Sequence, residues 1–148
     1  MRIKPARVQI SARIVARLVL GAFLVFAGIG HLSGQRAEFQ AQVPSWFPIA
    51  ADTVVVVSGL VEVALGAALI FARRRAALIG VIVAGFFIVI FPGNIAQFVE
   101  GKKAFGLDSD TERFIRLWFQ PVLVFWALWS TGGWGWLRNK FRADRQSG

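Results

Sequence analysis

Apolar residues run along this chain in four long stretches separated by short polar connections. A bilayer core about 30 Å thick takes about 20 apolar residues in a helix. The stretches at 12–33 (ARIVARLVLGAFLVFAGIGHLS), 53–72 and 114–131 (FIRLWFQPVLVFWALWST) approach or reach that length. The stretch beginning at Ala76 is apolar to Pro92, and its helix is expected to run to about residue 95, with room to reach Gln97. The pattern predicts an all-α integral membrane protein: a single transmembrane domain over 1–148, built as an up-down-up-down four-helix bundle. Pro121 is expected to kink the fourth helix and free a carbonyl near Leu117.

The connections sort by charge. Arg2, Lys4, Arg7, Arg13 and Arg17 precede or open the first stretch, Arg73, Arg74 and Arg75 join the second to the third, and Arg138, Lys140, Arg142 and Arg145 lie in the tail 132–148. The other two connections are poorer in basic residues. With four spans, all three basic regions share one side. The positive-inside rule makes that side cytoplasmic, with both termini inside and the chain multi-pass in a bacterial-type plasma (inner) membrane. A cleaved signal peptide fits less well, because Arg17 interrupts the apolar run and no A-x-A site follows. Trp46 and Trp118 are expected near the outer interface, with Trp129, Trp134 and Trp136 near the inner one.

Composition agrees. Hydrophobic residues make up 56% of the 148, against about 45–50% in a soluble domain. The net charge of +9 does not indicate a nucleic-acid partner, because the basic residues leave no soluble basic face for a duplex. There is no cysteine, one histidine and no CxxCH, so the chain offers few ligands for a redox centre of its own and no covalent cofactor is expected.

The polar residues inside the apolar stretches carry the functional information. Glu62 lies nine residues in from the outer end of the second helix, roughly 13 Å deep. Ser58 is one turn above it. His31 closes the outer end of the first helix, Asn94 and Gln97 close that of the third, and Arg116 and Gln120 share a face of the fourth. Each helix thus brings polar groups to the outer half, and a polar pocket opening outward is expected. The Pro-bounded loop VPSWFPIAAD (43–52) lies on the outer surface or folds back over the mouth. A carboxylate this deep needs a partner, a proton or water; Arg116 is the first counter-ion expected, His31 the second. The plainer readings are a structural Glu62–Arg116 pair that fixes register, an interfacial histidine, and an Asn94 that caps its helix. Ala64, Ala68 and Ala72, followed by Ala76, Gly80 and Ala84, form small-residue stripes expected to bring the second and third helices close, or to serve a homo-oligomer.

The segments FAGIGHL, VPSWFP, SGLVEVALGAAL, FPGNIAQF and RLWFQPVLVFWAL resemble, in that order, the DoxX-like membrane proteins, over about residues 14–131. The matching positions include Glu62, the Pro-flanked loop, the FP-x-N at the end of the third helix, and Arg116 and Gln120. Gly93, where the family commonly has alanine, and Pro121 directly after Gln120 depart from its usual form. The resemblance implies a membrane subunit associated with a quinone-linked oxidoreductase, with a quinone as possible ligand and a redox protein as partner. The alternative is a scaffold or assembly factor with a client membrane protein. A transporter is third, since four helices without an inverted repeat offer little for alternating access.

Overall fold

The computed structural model describes residues 5–146, with side chains from Ala12 onward. Seven helices follow one another: α1 (Pro5–Leu32), α2 (Arg36–Gln40), α3 (Ala51–Phe71), α4 (Ala76–Val99), α5 (Asp110–Leu117), α6 (Phe119–Thr131) and α7 (Gly133–Gln146). No strand occurs among the described residues. Three helical segments, Ala12–Leu32, Ala51–Phe71 and Ala76–Val99, are long and apolar enough to cross a membrane. Side chains such as Phe26, Val57, Leu60, Phe71, Ile88 and Val99 point outward and stay exposed. In water that surface would be a liability, and in lipid it is the expected exterior. The chain is accordingly a multi-pass membrane protein.

The packing follows two pairs. α1 lies mainly on α3 and α4 mainly on α6, and α1 and α6 hold the pairs together, while α3 and α4 touch little. Glycines set the first pair. A Cβ built on Gly21 would sit 2.8 Å from the Gly66 carbonyl oxygen, and one built on Gly28 would sit 2.6 Å from that of Gly59. Two glycines seven residues apart on each helix therefore meet in antiparallel register, letting the backbones approach where lipid gives no hydrophobic drive. The small-residue stripe of α4 serves the second pair: Gly80 leaves space for the Thr131 side chain of α6. This corrects the expectation that the alanine stripes join the second and third helices, and Ala64 in fact faces outward. The Trp126 indole donates to the Ala16 carbonyl at 2.9 Å and ties α6 to α1. Leu20, Leu24, Leu69, Val83, Phe87 and Ala127 fill the space between.

Helix boundaries differ from the sequence reading in two places with clear causes. α4 runs on to Val99, with Pro92 inside it, so Asn94 is an internal residue and not a cap. Proline at 92 sacrifices one ladder bond, to the Ile88 carbonyl, and neighbouring packing keeps the helix going. The fourth apolar stretch is two helices. Pro121 has no N–H for the Leu117 carbonyl, and the break falls just there, at Trp118. α5 starts upstream of the stretch because Ser109 and Glu112 form a capping box: the Glu112 N–H donates to Ser109 Oγ at 3.2 Å and the Ser109 N–H to Glu112 Oε2 at 2.9 Å. At the other end, Gly132 takes a left-handed φ of 77°, closing α6 and sending α7 off in a new direction.

Candidate functional site

A cavity of about 590 Å³ lies in the gap between α3 and α4, with α1 and α6 behind it. That volume is ordinary for a small-molecule site. Its walls are mostly apolar. Phe26, Val57 and Val89 line it and are also exposed on the flank of the molecule, so the cavity opens sideways toward the apolar surroundings. The loop residues Val43, Pro44, Trp46 and Phe47 also line it; the VPSWFP segment folds over the mouth.

Of the seven residues singled out in the sequence, His31, Ser58, Glu62, Asn94, Arg116 and Gln120 line this one cavity. Gln97 does not: it is buried, and its Nε2 turns to the Lys102 carbonyl at 3.5 Å, near the C-terminal end of α4. Asn94 and Gln120 form a bracket between α4 and α6. Asn94 Nδ2 donates to Gln120 Oε1 at 2.9 Å, and Gln120 Nε2 donates to the Phe87 carbonyl at 2.6 Å. That network spans two helices, and the Gln120 amide is used at both ends.

Glu62 meets His31, not Arg116. His31 Nε2 stands 3.5 Å from Glu62 Oε2, and no ion pair joins Glu62 to Arg116. Depth along the axis is similar for both candidates; the Gly28–Gly59 contact decides between them by bringing α1 against α3. A Cβ on Gly59 would lie 2.6 Å from the His31 Cβ, so the bare glycine is what admits the histidine. His31 Nδ1 then sits 3.2 Å from the Val55 carbonyl oxygen. A carbonyl only accepts, so Nδ1 carries a hydrogen and Nε2 faces the carboxyl group. With a neutral ring and an ionised carboxylate, two lone pairs would oppose each other in a buried site. A proton on Glu62 or on Nε2 would relieve that opposition, so the two groups are placed to exchange one. Both side chains are buried, Glu62 at 5% and His31 at 7% exposure.

Two residues that line the cavity each carry a buried polar atom with no hydrogen-bond partner, Gln42 Nε2 and Arg116 Nε, and Glu62 Oε2 has only His31 Nε2 beside it, at 3.5 Å. Buried polar groups are normally satisfied, so the Gln42 amide and the Arg116 guanidinium each keep a spare donor among residues that line one largely apolar space. An aromatic row roofs it. The Phe39 ring centroid is 3.5 Å from that of His31 and 4.8 Å from that of Phe105, and the Arg116 guanidinium carbon lies 5.1 Å over the Phe105 ring. Phe105 is held at a left-handed φ of 56°, a strained setting for a bulky residue, and its N–H donates to Glu38 Oε2 at 2.5 Å.

Sequence reading missed Phe39, Gln42 and Phe105, because they lie in connections whose path no periodicity specifies. It also missed Gly59, whose signal was present: Gly21 and Gly28 on one helix and Gly59 and Gly66 on another share a spacing of seven.

A clasp closes the roof from outside. Ser45 N–H and Oγ donate to Glu100 Oε1 at 3.2 and 2.9 Å. Lys102 Nζ pairs with Glu100 Oε2 at 2.7 Å and donates to the Val43 carbonyl at 2.9 Å. The Lys102 ammonium, and then the Ser45 donors, hold the Glu100 carboxyl below the usual carboxylate range. At the start of α3, Arg36 forks onto Asp52 through Nε and Nη2, and Gln40 Nε2 adds a bond of 3.1 Å. α2 is thereby fixed over the end of the bundle.

No curated protein and no solved structure matches the chain. Residues 20–131, which include α3, α4, α6 and the whole of the cavity's polar wall, match the family model described as a domain of unknown function, DUF8561, and the chain belongs to that family.

Proposed function

We propose that this chain is a DoxX-like membrane subunit that holds a quinone-type ring in the α3–α4 cavity and exchanges protons with it, in association with a redox partner. The observation that carries this reading is that the Glu62–His31 pair and two residues with an unsatisfied buried donor, Gln42 and Arg116, all line one laterally open, largely apolar cavity. A quinone has an apolar body, reaches its site from the bilayer, and presents carbonyl oxygens that accept from amide and guanidinium donors. When bound it supplies two-electron, two-proton redox chemistry. Electrons come from a partner oxidoreductase, since the chain has no cysteine and one histidine. Arg116 and Gln42 orient the ring oxygens. Glu62 gives or takes a proton at Oε2, and His31 Nε2 restores it, held to that task by its Nδ1 bond to Val55.

This reading includes the finer topology. The chain crosses four times, with α5 and α6 making a broken fourth span, and up-down-up-down order puts the basic connections and both termini on the cytoplasmic side of a bacterial inner membrane. Support comes from the segregation of Arg73–Arg75 and the basic tail to the end of the molecule away from the cavity, as the positive-inside rule requires.

The test is a pull-down from native membranes in mild detergent, with the copurified proteins and extracted quinones quantified. A redox enzyme and stoichiometric quinone are expected, with quinone reduced at least about tenfold in Glu62→Gln. A client that is not a redox protein, with no quinone, would overturn the reading in favour of a scaffold or assembly factor. The Asn94–Gln120 bracket between α4 and α6 gives that alternative its footing, since such networks also serve purely to fix helix register.

A further inference from the structure

The end of the molecule opposite the Glu62 cavity has a second pocket, a half-open cleft of about 370 Å³ where α1, α6 and the start of α7 diverge. Its apolar wall is Phe125, Leu128, Trp129 and Trp134, and its two charged residues are Arg13 and Arg138. The pocket exists because Gly132 turns the chain: with φ at 77°, α7 leaves the α6 axis and opens a wedge. In the sequence the apolar stretch opens at Ala12 after Arg2, Lys4 and Arg7, so Arg13 stands at the boundary of the hydrocarbon. Its guanidinium carbon lies 5.9 Å over the Trp129 ring. Neither arginine forms an ion pair with a carboxylate among the described residues.

α7 supports the same depth. Trp134, Leu137 and Phe141 recur on one face, and Trp134 and Phe141 are exposed at 64% and 65%. Arg138, Arg142 and Arg145 flank that stripe at helical spacing. A helix with an exposed apolar stripe bordered by arginines lies in the membrane interface, with the charged ends reaching to the headgroups.

We infer that this pocket binds an anionic phospholipid, its phosphate between Arg13 and Arg138 and an acyl chain running down past the exposed Phe125. Arginine suits a phosphate because its planar fork donates two bonds at once. Two unpaired guanidinium groups at one headgroup favour a lipid of net negative charge. A zwitterionic lipid would bring its own ammonium group against the second arginine. The tryptophans supply the amphipathic wall that this level of the bilayer favours. The site shares no lining residue with the Glu62 cavity and stands whether or not that cavity takes a quinone.

The full chain, purified in a non-ionic detergent, is offered equimolar dioleoyl phosphatidylglycerol and dioleoyl phosphatidylcholine, and retained lipid is counted by native mass spectrometry. The expected result is a preference for phosphatidylglycerol on the order of tenfold. Arg13→Gln with Arg138→Gln should bring it near parity, and Arg142→Gln with Arg145→Gln, removing the same charge outside the pocket, should leave it in place. Parity in the unaltered chain would overturn the proposal without recourse to any variant. A preference that survives the Arg13/Arg138 change, or falls equally with the Arg142/Arg145 change, would also overturn it, the latter as diffuse surface charge.

Discussion

At the scale of single residues, depth was readable and direction was not. Counting helical rise from the apolar boundaries brought Glu62, His31, Asn94, Arg116 and Gln120 to one half of the molecule, and with Ser58 they line one cavity. Rise per residue is nearly constant, so such counting travels well from sequence to space. Which of two cations faces Glu62 depends on the rotation of each helix about its axis and on which helices are neighbours, and neither is written in a single apolar run. Hence the outcome that His31, not Arg116, stands against the carboxyl group. A double-mutant cycle in detergent checks the pairing. Glu62→Gln and His31→Gln should show a coupling of about 1 kcal/mol or more, whereas Glu62→Gln and Arg116→Gln should be additive within about 0.5 kcal/mol. Coupling to Arg116 alone would mean that the guanidinium, not the imidazole, is the partner that matters for stability.

At the scale of helices, three of the four long apolar elements followed from periodicity and composition, whereas the fourth is two shorter helices broken before Pro121, and the partners of none were legible. A stripe of small residues announces close approach without saying to what. The Ala76–Gly80–Ala84 stripe packs toward α6 through Thr131, and the tight crossing of α1 on α3 rests on four glycines instead. That crossing can be tested against an internal control. A methyl group on Gly59 would meet the Gly28 carbonyl at 2.9 Å and the His31 Cβ at 2.6 Å, while one on Gly85 meets nothing within 4 Å. Gly59→Ala should therefore cost about 1–3 kcal/mol by overpacking, and should displace His31 from Glu62. Gly85→Ala, in a helix interior, should be neutral to about 1 kcal/mol stabilising. Thermal melts of the two variants in one detergent give the comparison. Equal melting temperatures would mean that α1 and α3 are not in the contact described.

At the scale of the whole molecule, the site is assembled by two connections as much as by the long helices. The segments 41–50 and 100–109 meet over the cavity, and Glu100 is where they join, accepting from Ser45 and Lys102 while Lys102 also holds the Val43 carbonyl. Because these contacts hold the Glu100 carboxyl below its ordinary range, their sign with pH is set. The clasp favours the ionised form, so its contribution is complete above the open-state value of about 4.3 and is lost as pH falls through the lower closed-state value. The roof should stay shut across neutral pH and loosen only in acid. Hydrogen exchange at the amides of Val43, Ser45 and Phe47, corrected for intrinsic rate, should be slow and flat from about pH 7 to 5 and rise below about pH 4. Glu100→Gln, which keeps the shape but drops the charge that draws Lys102, should speed exchange at pH 7 and flatten the acid rise. Because Val43, Pro44, Trp46 and Phe47 line the cavity itself, the same variant should speed release of whatever the cavity holds. Unchanged exchange in Glu100→Gln at neutral pH would show that the roof is kept by its aromatic row, with the clasp a surface contact of no consequence to access.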